Sequence, residues 1–158
     1  MNFVIDTFGG AEPLRFGMTP QQVRRALPGP VRSFRRTPGV EVPSDQFVAV
    51  GVVVNYRAPG VVDSIEFSRP ANPIFRGVAL FSQTLDQVKS FLLSHDPELE
   101  VDSAGFISHT LGLGIYALME DPEEGDPGEM LSIIAFEDGY YGRNRTSEGS
   151  DRASEEPG

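Results

Sequence analysis

The sequence predicts an α+β fold: two tandem α-β-β-β units, short helices packed on antiparallel sheet, with a disordered C-terminal tail. Three observations carry that prediction. The 158 residues include 17 Gly, 13 Pro and 11 Phe but no Trp and no Cys, which favours short strands and many turns over a helical bundle. A twelve-residue segment recurs without gaps at a constant offset of 65. Each copy is followed by apolar, β-branched runs separated by Gly and Pro turns. The length suits a single compact unit, expected over 1–141 with repeats at about 14–70 and 79–137.

Taken in order, Phe3 to Phe8 reads as an opening strand closed by Gly9-Gly10. The first repeated segment runs from Phe16 to Leu27 and the second from Phe81 to Leu92. In each, a Thr (Thr19, Thr84) stands at a helix N-cap with a Gln (Gln22, Gln87) three residues on, the spacing of a capping box. Pro20 occupies N1, where its missing N–H costs nothing, and Met18 and Val23 hold staple positions. Val23, Ala26 and Leu27 form one apolar stripe; Leu85, Val88, Phe91 and Leu92 form its counterpart. Pro28-Gly29-Pro30 ends the first helix, and the second is expected to stop near His95-Asp96-Pro97.

Val31 to Arg36 and Asp45 to Val50 are expected strands, with a turn at Thr37-Pro38-Gly39 and a break at Pro43. Gly51 to Tyr56 and Val61 to Phe67 then form a hairpin through Arg57-Ala58-Pro59-Gly60. The second unit repeats this order, with a strand over Val101 to Thr110 and a hairpin of Gly114–Met119 with Met130–Phe136. The tip of that second hairpin is long and acidic. Residues 142–158 lack apolar periodicity and are expected to be a disordered acidic tail.

Formal net charge is −10, which argues against a broad nucleic-acid interface. The charge is lopsided: residues 1–78 sum to +3 and residues 79–158 to −13. Such asymmetry either serves solubility or steers a basic partner toward the second half. The N-terminus lacks a basic segment followed by a long apolar one, and no apolar run approaches a membrane span, so a cytoplasmic protein is the default expectation.

Without Cys, thiolate catalysis and Cys-based metal sites are excluded. His95 at a helix end and His109 in a strand-like stretch have sufficient structural roles. The segment Glu120-Asp121-Pro122-Glu123-Glu124-Gly125-Asp126-Pro127-Gly128-Glu129 invites a calcium reading, but its two prolines break the alternating ligand ladder such a loop needs. Gly112-Leu113-Gly114 and Gly9-Gly10 lack the rest of any nucleotide fingerprint. No catalytic residue, metal site or cofactor is expected. Glu137-Asp138-Gly139-Tyr140-Tyr141 closes the folded part with aromatics beside acids, one Tyr expected in the core and the other at the surface.

Leu14-Arg15-Phe16-Gly17-Met18-Thr19, followed by Val23 and Leu27, resembles the helix-start motif of small bacterial α+β domains. Among these are BamE-like lipoproteins, β-lactamase inhibitor protein repeats and uncharacterised immunity-type proteins. The chain has neither the lipoprotein Cys of the first nor the disulfide cysteines of the second. What the resemblance implies is a mode of action, protein binding without catalysis.

The expectation is therefore a non-catalytic immunity or inhibitor-type protein, monomeric or a weak homodimer, binding neither membrane nor nucleic acid. It would cover a basic toxin or enzyme with its acidic second half. The residues expected at that interface are Glu120, Asp121, Glu123, Glu124, Asp126, Glu129, Glu137, Asp138, Tyr140 and Tyr141. Two alternatives stand beside it. One is a small-ligand or metal-binding domain, or a carboxylate enzyme, with Asp63, Glu66 or the acidic loop lining a groove between the repeats; the other is a subunit that self-associates through a sheet edge.

Overall fold

A computed structural model describes residues 1–39, 42–118 and 129–142. The chain opens with three short strands, β1 (Asn2–Asp6), β2 (Gly10–Glu12) and β3 (Leu14–Arg15), and then enters helix α1 (Pro20–Ala26). Four strands follow: β4 (Arg32–Phe34), β5 (Ser44–Phe47), β6 (Val52–Arg57) and β7 (Val61–Phe67). After β8 (Asn72–Phe75), β9 (Val78–Ala79) and a 3-10 turn (Leu80–Ser82) comes helix α2 (Leu85–His95). Four more strands follow among the described residues: β10 (Glu100–Asp102), β11 (Gly105–Ser108), β12 (Leu113–Leu118) and β13 (Glu129–Phe136). The class is α+β, a few short helices with two mostly antiparallel sheets.

Both capping boxes form. Thr19 Oγ1 accepts from the Gln22 amide while Gln22 Oε1 accepts from the Thr19 amide, and Thr84 and Gln87 do the same. Helix α1 stops where Pro28 cannot continue it, and α2 stops at its Asp96 C-cap. Val23 of α1 and Leu85, Val88 and Leu92 of α2 are buried. The apolar stripes thus meet the core.

Strands β4–β7, which come directly after α1, and β10–β13, which come after α2, join one sheet, in the order β10-β11-β12-β13-β7-β6-β5-β4. Each unit thus contributes four strands to this sheet rather than three; in the second unit the fourth arises because Val101–Thr110 is not one strand but the hairpin β10–β11. Asp102 Oδ1 accepts from the Ala104 amide to make the turn, and Gly105 leaves it at φ 139°, a conformation closed to most L-residues. The two four-strand sets meet where β7 and β13 pair antiparallel, with Ile65 opposite Ala135, Glu66 opposite Ile134 and Phe67 opposite Ile133. Each set carries one bulge, with Asp63 the extra residue in β7 and Leu131 the extra residue in β13.

The remaining strands build a small second sheet, β3-β2-β1-β8-β9, in which β1 and β8 run parallel. This sheet lies on the core side with the helices, and Phe3 of β1 meets Phe67 of β7 with ring centroids 5.3 Å apart. One row across the large sheet (Phe47, Val52, Phe67, Ile133, Ile115, Phe106) faces that core and is fully buried. The neighbouring core-facing row ends in two polar residues, Asp45 and Ser108. Each is taken up by a helix. Arg24 of α1 grips Asp45 at 2.9 Å, and Ser108 donates to Asp96 at the end of α2 at 2.6 Å. No described helix is long and apolar enough to cross a membrane.

Candidate functional site

Strand alternation leaves the other face of the large sheet to different chemistry. Gln46, Val53, Glu66, Ile134, Gly114 and Ile107 stand in one cross-strand row on that face, and Asn55 and Ser64 are paired in the next. Helices α1 and α2 pack on the opposite, core-facing side. The centre of the row, where the two four-strand sets meet, holds a cavity of about 220 Å³. Arg36, Val42, Ser44, Asn55, Tyr56, Asp63, Glu66, Tyr116, Ile134 and Tyr140 line it.

Asn55 organises the floor. Its Oδ1 accepts from Ser44 Oγ at 2.6 Å and from Arg36 Nε at 3.2 Å, and its Nδ2 donates to Ser64 Oγ at 3.0 Å and Glu66 Oε2 at 2.9 Å. Arg36 Nη2 also donates to Glu66 Oε2. A side-chain network satisfied in this way holds the carboxylate in one position. The bulge at Asp63 adds a second carboxylate to the lining, and the Asp63 carbonyl accepts from the Glu137 amide at 3.0 Å.

That last bond turns the chain after β13 back over the open face. Tyr140 stacks on Phe136 with centroids 5.7 Å apart, and Tyr141 meets Phe136 edge-on at 4.9 Å. Tyr140 is hydrogen-bonded to Ser64 and Tyr141 to Tyr116. Burial pushes both phenols up from their ordinary range; a hydrogen bond with Ser64 opposes the rise at Tyr140, and the Asp63 and Glu66 charges add to it. Both rings are neutral at pH 7. His109 joins this aromatic group at 5.2 Å from Tyr141, with its Nε2 3.2 Å from Glu100.

Tyr140 and Tyr141 are both half-buried against the sheet, so neither is the pure core or pure surface residue expected. Glu137 is bound to Arg57 at 2.6 Å, while Asp138 and Glu129 are exposed and do not line the cavity. Glu120, Asp121, Glu123, Glu124 and Asp126 lie outside the described residues. Arg36, Ser44, Asn55 and Tyr116 complete the site and were not expected there. For Asn55 and Tyr116 the signal is a polar or aromatic residue at the outward phase of an apolar strand, as in Val52-Val53-Val54-Asn55; Arg36, beyond the end of β4, and Ser44, in a polar strand, carry no such signal.

Neither histidine lines the cavity, and Ser44 and Ser64 are hydrogen-bonded to Asn55 rather than to a base. Among the described residues no group of three or more His, Asp or Glu side chains could hold a metal ion. No protein-family model matches the chain, and no curated protein or solved structure matches it.

Proposed function

We propose that this protein is a non-catalytic protein-binding module of immunity or inhibitor type, two duplicated units that present one sheet face to a basic partner. The observation that carries the reading is the face itself: eight strands wide, not covered by α1 or α2, with a polar basin at its centre and tyrosines along one side. Tyr116 is 39% and Leu131 52% exposed on β12 and β13, apolar area of the kind that anchors interfaces. The −13 of the second half supplies a field that accelerates encounter with a basic protein. The resemblance of the helix-start motif to inhibitor and immunity-type domains points the same way.

The small-ligand reading has one observation in its favour, the cavity. Its volume of about 220 Å³ is small beside the roughly 300–1,000 Å³ of small-molecule sites, and fits one functional group better than a whole metabolite.

Capture of partners from the native host separates the two. A protein retained at low salt should be released at high salt, and lost in Tyr116→Ala and Leu131→Asp variants of unchanged thermal stability. It should persist in Val4→Ser, a substitution on the far layer. Retention by all three variants would remove the sheet face from the interface.

A further inference from the structure

Arg36 sits in the basin as a ligand would. It lies two residues beyond the end of β4, yet its guanidinium reaches Asn55 on β6 and Glu66 on β7. Its side chain is 47% exposed against 20% for Glu66, so the carboxylate is part of the sheet and the guanidinium comes in from outside. The Glu66 seat is pre-organised, because Asn55 is itself held by Ser44 and Ser64. Among the described residues, two carboxylates, Glu66 and Asp63, stand around the seat against one guanidinium, with Tyr116 and Tyr140 as further walls. Fixed carboxylates donate no proton and accept several, and tyrosine faces attract cations; together they recognise a planar guanidinium. An anion entering the basin could pair with Arg36 but would face both carboxylates.

We infer that the basin is a seat for an arginine side chain of the protein partner, and that Arg36 holds the seat until that side chain displaces it. The inference rests on the protein-binding reading and adds the chemical class of the anchor. It assigns Arg36 an unusual sign: as an internal competitor, its removal strengthens binding. Were Arg36 instead the contact for an acidic ligand, its removal would abolish binding.

The test uses the full-length, 15N-labelled protein titrated with the capped tripeptide Gly-Arg-Gly, with Gly-citrulline-Gly, Gly-Glu-Gly and agmatine as comparisons. The arginine peptide should shift the Asn55 side-chain amide and the Ser64 and Glu66 backbone amides. The uncharged citrulline peptide should bind about tenfold more weakly or not at all. Arg36→Gln should tighten the arginine peptide by about three- to tenfold, because the seat is then vacant in every molecule. Glu66→Gln should weaken it by about tenfold or more.

No response in either the wild type or Arg36→Gln overturns the proposal. So does binding of the glutamate peptide that Arg36→Gln abolishes, or tighter binding of agmatine than of the peptide, which would mark a small-cation site. If the seat fails while Tyr116→Ala and Leu131→Asp still release the captured partner, only the anchor is lost. If capture ignores those two variants, the protein-binding reading itself falls.

Discussion

Asp45 shows how one residue joins a helix to the sheet. Its side chain is 1% exposed, yet it accepts from Arg24 Nη2 at 2.9 Å, Arg24 Nε at 3.2 Å, Ser33 Oγ at 2.6 Å and the Tyr56 hydroxyl at 2.9 Å. Burial alone would raise its pKa, but the hydrogen bonds from Arg24, Ser33 and Tyr56, with the Arg24 charge, outweigh it and hold the carboxyl below the ordinary range. A carboxyl depressed on folding contributes stability above its unfolded pKa, near 3.9, and loses it as pH falls through the folded value. Asp45→Asn is therefore expected to cost about 3 kcal/mol at pH 7. Urea unfolding of the two proteins as a function of pH should show the gap closing below roughly pH 4. A gap independent of pH would mean that Asp45 acts by packing alone. At this scale the sequence was partly legible. Thr19-x-x-Gln22 and Thr84-x-x-Gln87 announce their bonds because the partners are three residues apart. The Asp45–Arg24 pair spans 21 positions and announces nothing.

Among the elements, helix starts and the central hairpins follow the local pattern closely, and the edges do not. Val101–Thr110 is apolar enough for one strand, and only the turn at Gly105 splits it. A Cβ there would lie 1.8 Å from the Ile115 carbonyl oxygen, since β11 and β12 run in close contact at this point. Gly105→Ala is expected to lose about 2–4 kcal/mol, from the positive φ and the backbone overlap together. Hydrogen exchange in this variant should rise first in β10 and β11, whereas a uniform increase across both sheets would contradict a local cause. Strands β8 and β9 were not read as strands at all. Asn72-Pro73-Ile74-Phe75 is short and contains Pro, and its ladder exists only because β1 arrives parallel to it from the N-terminus.

For the whole molecule the governing facts are the shared sheet and the uneven charge. Two units that could have formed separate sheets are fused through β7 and β13, which puts the open-face residues of both halves around one basin. The acidic segment between β12 and β13 belongs to the half that carries −13. Reversing Glu123, Glu124 and Asp126 to Lys is expected to slow association with a basic partner roughly tenfold at low ionic strength. The difference should vanish near 0.5 M salt, where the screening length falls to about 4 Å. Stopped-flow or surface-based association rates at several salt concentrations measure this, and equal rates at low salt would separate the acidic segment from partner encounter.

What the sequence determined by itself is whatever rests on neighbours within a turn or a hairpin. The α+β class, both capped helices, the hairpin of β6 and β7 and the recurrence of its order in β12 and β13 are all of this kind. The small sheet, the joining of the two halves and the basin were decided only by tertiary structure. Arg36 lies beyond the end of β4, Asn55 on β6 and Glu66 on β7, and alternation along a strand says which face a side chain takes but not which other strand lies beside it. Strand neighbours are chosen by burying the largest apolar surface for the whole chain at once, and no local window of sequence contains that sum.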